Sequence, residues 1–397
     1  MSSTLTAEEA ARLLGISRAT LYSYVSRGML RSVEQASNTR EKRYLKEDID
    51  KLLTQKEQRK NPAEVVRSAL HFGTPMLDTS ISLLREGQLF YRGQEVVHLA
   101  QNHTFEEVMG LLWTGELAPL PEVTPLKLPD GFAENTRHLK VLPQYQRALL
   151  EAQAQDLGAL NLKTPSLLKT GQKALGVLAQ TTTGWASQAA LSVQLCLHWT
   201  HGLENQRLVD QALILCAEHE LNISAFSVRC AVSASSDLYA ALIAGLSALQ
   251  GRKHGGMVPA VDRLLQEGLH SGVKPALHHL LSEKTGLPGF SHPLYPQGDP
   301  RARFLWERLQ AAPLDPQLRA VSTELQETVW QELEEHPNID FALAVLARHL
   351  GHPVKAGMTL FALGRTAGWV AHAIEQHQDG RLIRPRANYV GLPVQSD

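Results

Sequence analysis

Residues 218–256 read EHELNISAFSVRCAVSASSDLYAALIAGLSALQGRKHGG. From Leu238 to Leu249 the leucines recur at the three- and four-residue spacing of a helix. This apolar run is too short to span a membrane and begins beside Asp237, so it predicts a buried helix. Similar spacing recurs along the chain from about position 98 onward. We therefore predict an all-α body.

The composition restricts the class of protein. The chain has 397 residues, of which 43% are hydrophobic and 20% charged, and its formal net charge is −1. This length predicts two or three globular domains, and the charge excludes a protein that acts as a polycation throughout. The three cysteines form no CxxC pair, so neither a disulfide framework nor a structural zinc site is predicted. Because Glu8, Glu9 and Arg12 stand where a signal peptide needs an apolar run, we expect a cytoplasmic protein.

One stretch favours β-structure. Between positions 80 and 94, Glu86-Gly87 is expected to form the turn of a short hairpin between ISLL and LFYR. Elsewhere strands and helices do not alternate, and the sequence contains neither a GxGxxG nor a GxxxxGK[ST] phosphate-binding loop. These absences disfavour a Rossmann or P-loop nucleotide enzyme.

The first sixty residues form a separate basic module. They contain 12 Lys and Arg against 8 Asp and Glu, whereas the remaining residues contain 27 against 32. Thr6 with Glu9 predicts a capping box that opens one helix, and Gly15 supplies the turn before Ser17, which caps a second helix. We therefore predict a small winged helix-turn-helix domain over residues 1–60.

The predicted DNA contacts are Arg18, Thr20 and Tyr22 on the second helix and Arg40 and Arg43 in the basic stretch after it. In TAEEAARLLGISRATLYSYVSRGML and RYLKEDIDKLL the module resembles the winged DNA-binding domains of the MerR and excisionase type. The charge of this module gives only weak, salt-dependent DNA binding by itself. A small helical packing module is the alternative.

Polar residues stand beside glycines or small residues at several places in the apolar body. The candidate site residues there are His219, His254, His292, Arg301, Asp340, Arg365 and Arg384. Three guanidinium groups suit a substrate with two carboxylates, because each planar fork pairs bidentately with a carboxylate. An Asp in apolar surroundings can act as a general base, and a neutral His can polarise a carbonyl. Taken singly, however, such residues are more often helix caps or ion-pair partners.

Five stretches resemble the citrate synthase family, in the same order along the chain. They are LFYRGQEVVHLAQNHTFEEVMGLLWTGEL, residues 218–256, GFSHPLYPQGDPRA, NIDFALAVLARHLG and LFALGRTAGWVAHAIEQHQDGRLIRPRANYVG. The resemblance implies an almost wholly α-helical homodimer. It also implies a large domain of residues 64–252 and 346–397 and a small domain of residues 253–345, which close over the substrate.

The resemblance implies a citrate or 2-methylcitrate synthase, which condenses acetyl-CoA or propionyl-CoA with oxaloacetate and releases CoA. By motif position, Asp340 would remove a proton from the acetyl methyl group, His254 would stabilise the enol and His292 would protonate the oxaloacetate carbonyl. The residues that would hold the oxo-acid are His219, Arg301, Arg365 and, from the other subunit, Arg384. Acetyl-CoA is then a co-substrate, and no cofactor or metal is expected. The HxxH pair of His198 and His201 lacks a carboxylate at a suitable spacing for a metal site.

Three departures from the family pattern concern the pocket and CoA. Cys216 stands where a second His is usual, and Met257-Val258-Pro259 replaces small and polar residues after HGG. Pro293 and Pro296 replace basic residues, so two cations that would hold CoA phosphates are missing from these positions. Since a hydrogen bond to a charged group contributes ~1.5–3 kcal/mol, we expect weakened CoA binding.

Two functions therefore compete. The intact set of His254, His292 and Asp340 favours an acyltransferase, because a pure sensor has no need of the Asp. The N-terminal module and the paired prolines favour a transcriptional regulator whose body binds a di- or tricarboxylate. A partner subunit beside a more active paralogue is a third alternative. The acyltransferase is the function that the sequence predicts.

Overall fold

The computed structural model describes residues 4–26, 30–34, 42–46, 48–49, 52, 77–251, 257–283 and 286–392. The chain divides into two units, residues 1–78 and 79–397, and each has its own hydrophobic core. The predicted end of the first domain at position 60 and the start of the small domain at position 253 lie outside the described residues. The boundaries of the large and small domains stay predictions. None of the described helices combines the length and the apolar character needed to cross a membrane.

The N-terminal unit contains the predicted helix-turn-helix. Its elements are β1 Thr4–Leu5, α1 Ala7–Leu14, α2 Arg18–Ser26, β2 Ser32–Glu34 and β3 Lys42–Leu45. The capping box between Thr6 and Glu9 is present, and Gly15 ends α1 in the left-handed region at φ 59°. The Ser17 hydroxyl accepts the Thr20 N–H at 3.2 Å and so caps α2. The strands pair antiparallel in the order β1-β3-β2, which places β-structure where the wing is predicted.

The second unit begins with the predicted hairpin. β4 Ser82–Arg85 pairs antiparallel with β5 Gln88–Tyr91. Both turn residues have positive φ, 53° at Glu86 and 76° at Gly87, as a tightly twisted two-residue hairpin turn requires. A third strand, β6 Gln94–Glu95, pairs antiparallel with β5.

The rest of this unit is helical, as the sequence predicts. Its helices are α3 Val96–Asn102, α4 Phe105–Thr114, α5 Phe132–Thr136, α6 Val141–Gln155, α7 Thr164–Thr183, α8 Leu191–Trp199, α9 Gln206–Cys216, α10 Ile223–Ser233, α11 Leu238–Leu249, α12 Val258–Ser271, α13 Val273–Ser282, α14 Pro300–Ala311, α15 Pro316–Leu333, α16 Ile339–His349 and α17 Lys355–Asp379. A short 3₁₀ helix, Leu157–Leu160, follows α6. The periodic stretch in residues 218–256 is α11, which confirms the buried helix.

The long helix α17 lies at the centre of this unit. Nearly every residue from Ala356 to Ile374 is buried, and the helix packs against α7, α9, α10 and α16. Gly364 permits a close approach of α9, because a Cβ at this position would lie 2.6 Å from the Leu213 carbonyl oxygen. The C-terminal end of α9 and the residues after it are thereby held directly against the helix that carries Arg365.

Candidate active site

His219 lies in the short link between α9 and α10. The Tyr91 hydroxyl anchors this link, because it accepts the Glu218 N–H at 3.0 Å and lies 3.1 Å from the Ile214 carbonyl oxygen. Glu218 and His372 form a fully buried pair in which His372 Nε2 is 3.1 Å from Glu218 Oε1. These contacts fix the backbone from which the buried His219 side chain projects.

His292 lies in the loop between α13 and α14. Its Nδ1 accepts the Leu294 N–H at 3.2 Å, so a neutral ring carries its proton on Nε2. Burial, and to a lesser extent the positive charge of Arg301, lowers the pKa of His292 to about 4. The imidazole is therefore uncharged at neutral pH, and its Nε2–H can donate a hydrogen bond.

Tyr295, in the same loop, contacts both of these histidines. Its hydroxyl oxygen is 2.9 Å from His219 Nε2, and its ring centroid is 5.5 Å from that of His219 and 5.0 Å from that of His292. The two imidazole rings are themselves 5.0 Å apart, in an edge-on arrangement. Tyr295 stands in the GFSHPLYPQGDPRA stretch, but its contact with His219 is not predicted from sequence, because the two residues are far apart in the chain.

Arg301 is buried in the first turn of α14. Its Nε and Nη2 donate to the two carboxylate oxygens of Asp299, at 3.0 and 2.8 Å. Its guanidinium carbon also lies 5.4 Å from the centre of the Tyr295 ring. Asp299 caps α14 and accepts the Ile339 N–H at 3.1 Å, which joins α14 to the start of α16. Asp299 was also missed, although an Asp before a Pro-initiated helix is a recognisable cap signal.

Asp340 lies in the first turn of α16. Asn338 caps this helix, and its side-chain amide donates to the Ser291 carbonyl oxygen at 3.0 Å. The loop that carries His292 is thereby tied to the helix that carries Asp340. Among the described residues, Oδ1 of Asp340 is buried and has no hydrogen-bond partner.

The surroundings of Asp340 set its ionisation. Burial raises the pKa of Asp340 to about 6, while the positive charges of Arg301 and Arg365 act to lower it and the Asp299 carboxylate acts to raise it. The group is therefore mostly ionised at neutral pH and readily accepts a proton. Both properties suit a general base.

Arg365 is buried in the middle of α17. Its Nε donates to the Cys216 carbonyl oxygen at 2.9 Å, and its guanidinium carbon lies 4.9 Å from the centre of the Phe361 ring. Burial lowers the pKa of Arg365, and the Glu218 carboxylate opposes this effect. Burial also raises the pKa of the Cys216 thiol to about 12, so this residue, which departs from the family pattern, is uncharged at neutral pH.

Two of the candidate site residues stay predictions. His254 lies outside the described residues. Arg384 follows α17 and is exposed, so its role in the site of another subunit stays a prediction. In the described part of the chain, no three His, Cys, Asp or Glu side chains are arranged to hold a metal ion.

The two unusual prolines lie at the solvent-facing side of the site. Pro293 and Pro296 are exposed, and a cleft beside His292 is lined by Pro296 together with Glu334 and Glu335. Carboxylates at this position oppose the approach of phosphate groups. Weak CoA binding at these positions stays a prediction.

The predicted DNA contacts lie in the N-terminal unit. Arg18, Thr20 and Tyr22 are on α2, Arg43 is on β3, and Arg40 lies outside the described residues. Tyr22 is 53% exposed. Arg18 forms an exposed ion pair with Glu8 at 2.7 Å, and such pairs are weak enough for the Arg to exchange its partner for a phosphate.

The residues in the second unit can together bind an anionic carbonyl compound and move a proton. Arg365 supplies buried positive charge, Arg301 supplies a buried guanidinium that is paired with Asp299, His292 supplies a neutral N–H donor, and Asp340 supplies a carboxylate that can accept a proton. These are the parts needed to form an enol and direct it at a second carbonyl group.

Comparison with known sequences finds two matching families. Residues 69–162 and 179–386 match the family "Citrate synthase, C-terminal domain", and residues 4–57 match a helix-turn-helix domain family. The chain is 30% identical over 351 residues to citrate synthase 2 of Bacillus subtilis, covering 80% of this chain and 94% of the relative. It is also 30% identical over 344 residues to the 2-methylcitrate synthase of Shewanella oneidensis, covering 77% and 89%.

Solved structures have the same fold. The crystal structure of citrate synthase from Thermotoga maritima is 30% identical, covers 82% of this chain and 96% of its own, and has a TM-score of 0.66. The ternary complex of Thermoplasma acidophilum citrate synthase with carboxymethyl coenzyme A and oxaloacetate covers 83% and 97%, with a TM-score of 0.67. At 24% identity this second likeness supports the fold alone.

Proposed function

The chain belongs to the citrate synthase family, and from this premise we propose that it condenses acetyl-CoA or propionyl-CoA with oxaloacetate and then hydrolyses the resulting thioester with water, which releases CoA. The observation that carries the proposal is Asp340, whose buried Oδ1 has no hydrogen-bond partner among the described residues and whose pKa is raised to about 6. A buried carboxylate oxygen that has no partner is available to accept a proton from a bound substrate.

The proposal gives each of the candidate site residues a role. Asp340 takes the proton from the α-carbon of the acyl thioester. His292, neutral and protonated on Nε2, donates to the carbonyl oxygen of oxaloacetate as negative charge develops there. Arg301, Arg365 and His219 hold the carboxylates of oxaloacetate. His254 completes the set by stabilising the enol, and Arg384 enters from the second subunit of a homodimer.

The test is a matrix of substrates. Purified full-length protein is mixed with acetyl-CoA or propionyl-CoA and with oxaloacetate, free thiol is followed with time, and the product is identified by mass spectrometry. We expect thiol release only when both substrates are present, together with citrate or 2-methylcitrate. Absence of thiol release with every acyl-CoA tried, from folded protein, would remove the proposal.

A second function is favoured by the helix-turn-helix domain at residues 4–57. In this alternative, the body binds a di- or tricarboxylate and the N-terminal unit binds DNA. Exposed Tyr22 and Arg18 on α2 support the DNA-binding part. The two functions are compatible, because a regulator can retain an active body.

The DNA-binding function has its own test. Binding of the full-length chain to duplex DNA is measured over a range of salt concentrations, with Arg18→Ala and, as a matched control, Arg85→Ala. Both arginines are exposed and each pairs with a nearby Glu. We expect Arg18→Ala to reduce the slope of log K against log salt by about 1, and Arg85→Ala to leave it unchanged. Salt-independent binding, or equal effects of the two changes, would contradict this function.

A further inference from the structure

Tyr295 contacts three of the side chains assigned to the oxo-acid site. Its hydroxyl is 2.9 Å from His219 Nε2, its ring packs against the His292 ring, and the guanidinium of Arg301 lies over its face. The side chain is only 3% exposed. A buried aromatic ring with these neighbours has little freedom to turn.

The hydrogen bond between Tyr295 and His219 joins two separate parts of the chain. His219 follows α9 and falls in the predicted large domain, whereas Tyr295 precedes α14 and falls in the predicted small domain. In that layout, the bond forms only when the two domains lie close together. The orientation of the His219 ring is then coupled to domain closure.

The hydroxyl is suited to this role because it stays protonated. Burial raises the pKa of Tyr295 to about 12, so the group is a neutral donor and acceptor over the working pH range. It can donate a hydrogen bond to His219 Nε2 or accept one from it, so the contact forms with the ring in either neutral tautomer. The contact therefore fixes the direction of the ring without adding a charge to the site.

We propose that Tyr295 is a positioning residue that orients His219 for the oxo-acid across the boundary between the two predicted domains. The inference rests on the proposed function, since it concerns the same site. Tyr295 takes no direct part in proton transfer. Loss of its hydroxyl therefore weakens oxo-acid binding more than it slows the chemical step.

The experiment compares Tyr295→Phe with Tyr145→Phe. Tyr145 is the matched control, because it is also buried, its pKa is also raised to about 12, and its hydroxyl bonds to Thr182. We expect Tyr295→Phe to raise the KM for oxaloacetate about tenfold, with kcat changed less than about threefold and the KM for acetyl-CoA unchanged. We expect Tyr145→Phe to change none of these constants.

A double-mutant cycle separates positioning from general destabilisation. The dissociation constant of oxaloacetate is measured by calorimetry for Tyr295→Phe, His219→Ala and the double variant. If Tyr295 acts through His219, its change has no further effect once His219 is removed. Additive effects, or a KM for oxaloacetate that is the same in both Phe variants, would overturn the inference.

The outcomes distinguish this inference from the proposed function. Wild-type protein that binds oxaloacetate but releases no thiol would refute the synthase activity and leave Tyr295 to be judged by the dissociation constants. Wild-type protein that neither binds oxaloacetate nor releases thiol would refute both. An active wild type with an unaffected Tyr295→Phe variant would refute the inference alone.

Discussion

Asp340 is buried, and the two nearby guanidinium groups only partly offset the effect of this burial on its pKa. Burial raises the pKa of this carboxyl group, and the charges of Arg301 and Arg365 keep it from rising further. The carboxylate is therefore ionised at neutral pH, and its pKa is high enough for it to take a proton from a substrate. The pH dependence of activity, and the difference in stability between the wild type and a variant at position 340, should both report this group.

We expect kcat/KM to rise with pH through a single ionisation near 6. The pKa of Asp340 is raised to about 6, so below that pH the base is protonated and the rate falls about tenfold per pH unit. His292, whose pKa is lowered to about 4, stays neutral above pH 5 and adds no second step there. Initial rates of thiol release between pH 5 and 8 provide the measurement. A rate that is flat down to pH 5 would contradict the assignment.

Asp340→Asn should abolish activity and yet stabilise the protein. Because the fold raises the pKa of Asp340 from 3.8 to about 6, it favours the protonated form, and stability is lost as pH rises through 6. At pH 7.5 the Asn variant should gain up to about 3 kcal/mol in free energy of unfolding, and below pH 4 the gain should vanish. Urea unfolding at the two pH values checks this. An equal gain at both would show that ionisation is not the cause.

For single residues, the sequence identifies most of the charged groups in the site but not the residues that they contact. His292, Arg301, Asp340 and Arg365 stand in recognisable motifs, and the structure buries Arg301 and Arg365 and places His292 and Asp340 in connected segments. Tyr295 was missed because its contact with His219 joins residues distant in sequence and has no local pattern. Protonation states likewise depend on tertiary burial, which local sequence does not report.

Among the elements, α17 is positioned by its glycines. A Cβ at Gly364 would meet the backbone of α9, whose C-terminal end supplies the carbonyl that holds Arg365. The close packing of these two helices therefore affects both stability and the site.

Gly364→Ala should destabilise the protein by about 1–3 kcal/mol and raise the KM for oxaloacetate, because α9 must move away from Arg365. The matched control is Gly176→Ala on α7, where a Cβ would meet nothing within 4 Å. This control should stabilise by about 0.5–1 kcal/mol through the better helix propensity of Ala. Thermal unfolding and steady-state kinetics of both variants are the measurements. Equal behaviour of the two variants would rule out the packing argument.

The loop before α14 should control affinity for CoA. Pro293→Arg with Pro296→Lys adds two exposed cations beside the cleft lined by Glu334 and Glu335, and should lower the KM for acetyl-CoA by about tenfold or more. The measurement is the dependence of initial rate on acetyl-CoA concentration.

The control adds the same charges elsewhere. Pro119→Arg with Pro121→Lys alters two exposed prolines between α4 and α5. An unchanged KM in the first variant, or the same decrease in the control, would show that these positions do not contact CoA.

For the molecule as a whole, the sequence predicts the fold well, because the apolar residues of its helices are strongly periodic and its turns and caps contain the residue types that such positions favour. The hairpin at Glu86-Gly87, the capping box at Thr6 and the buried helix α11 are confirmed. The division of the body into two domains could not be derived from periodicity, since it depends on how the helices pack. It enters only through family resemblance and stays a prediction.

The central claim is that Asp340 acts as the base of an acyl-CoA condensation, and one comparison tests it most directly. Thiol release from acetyl-CoA or propionyl-CoA with oxaloacetate is measured for wild type and Asp340→Ala at equal folded concentration. We predict release by the wild type that requires oxaloacetate and falls by about 10²–10⁴-fold in the variant. Release at the wild-type rate by Asp340→Ala, or none from the wild type with either thioester, would contradict the account.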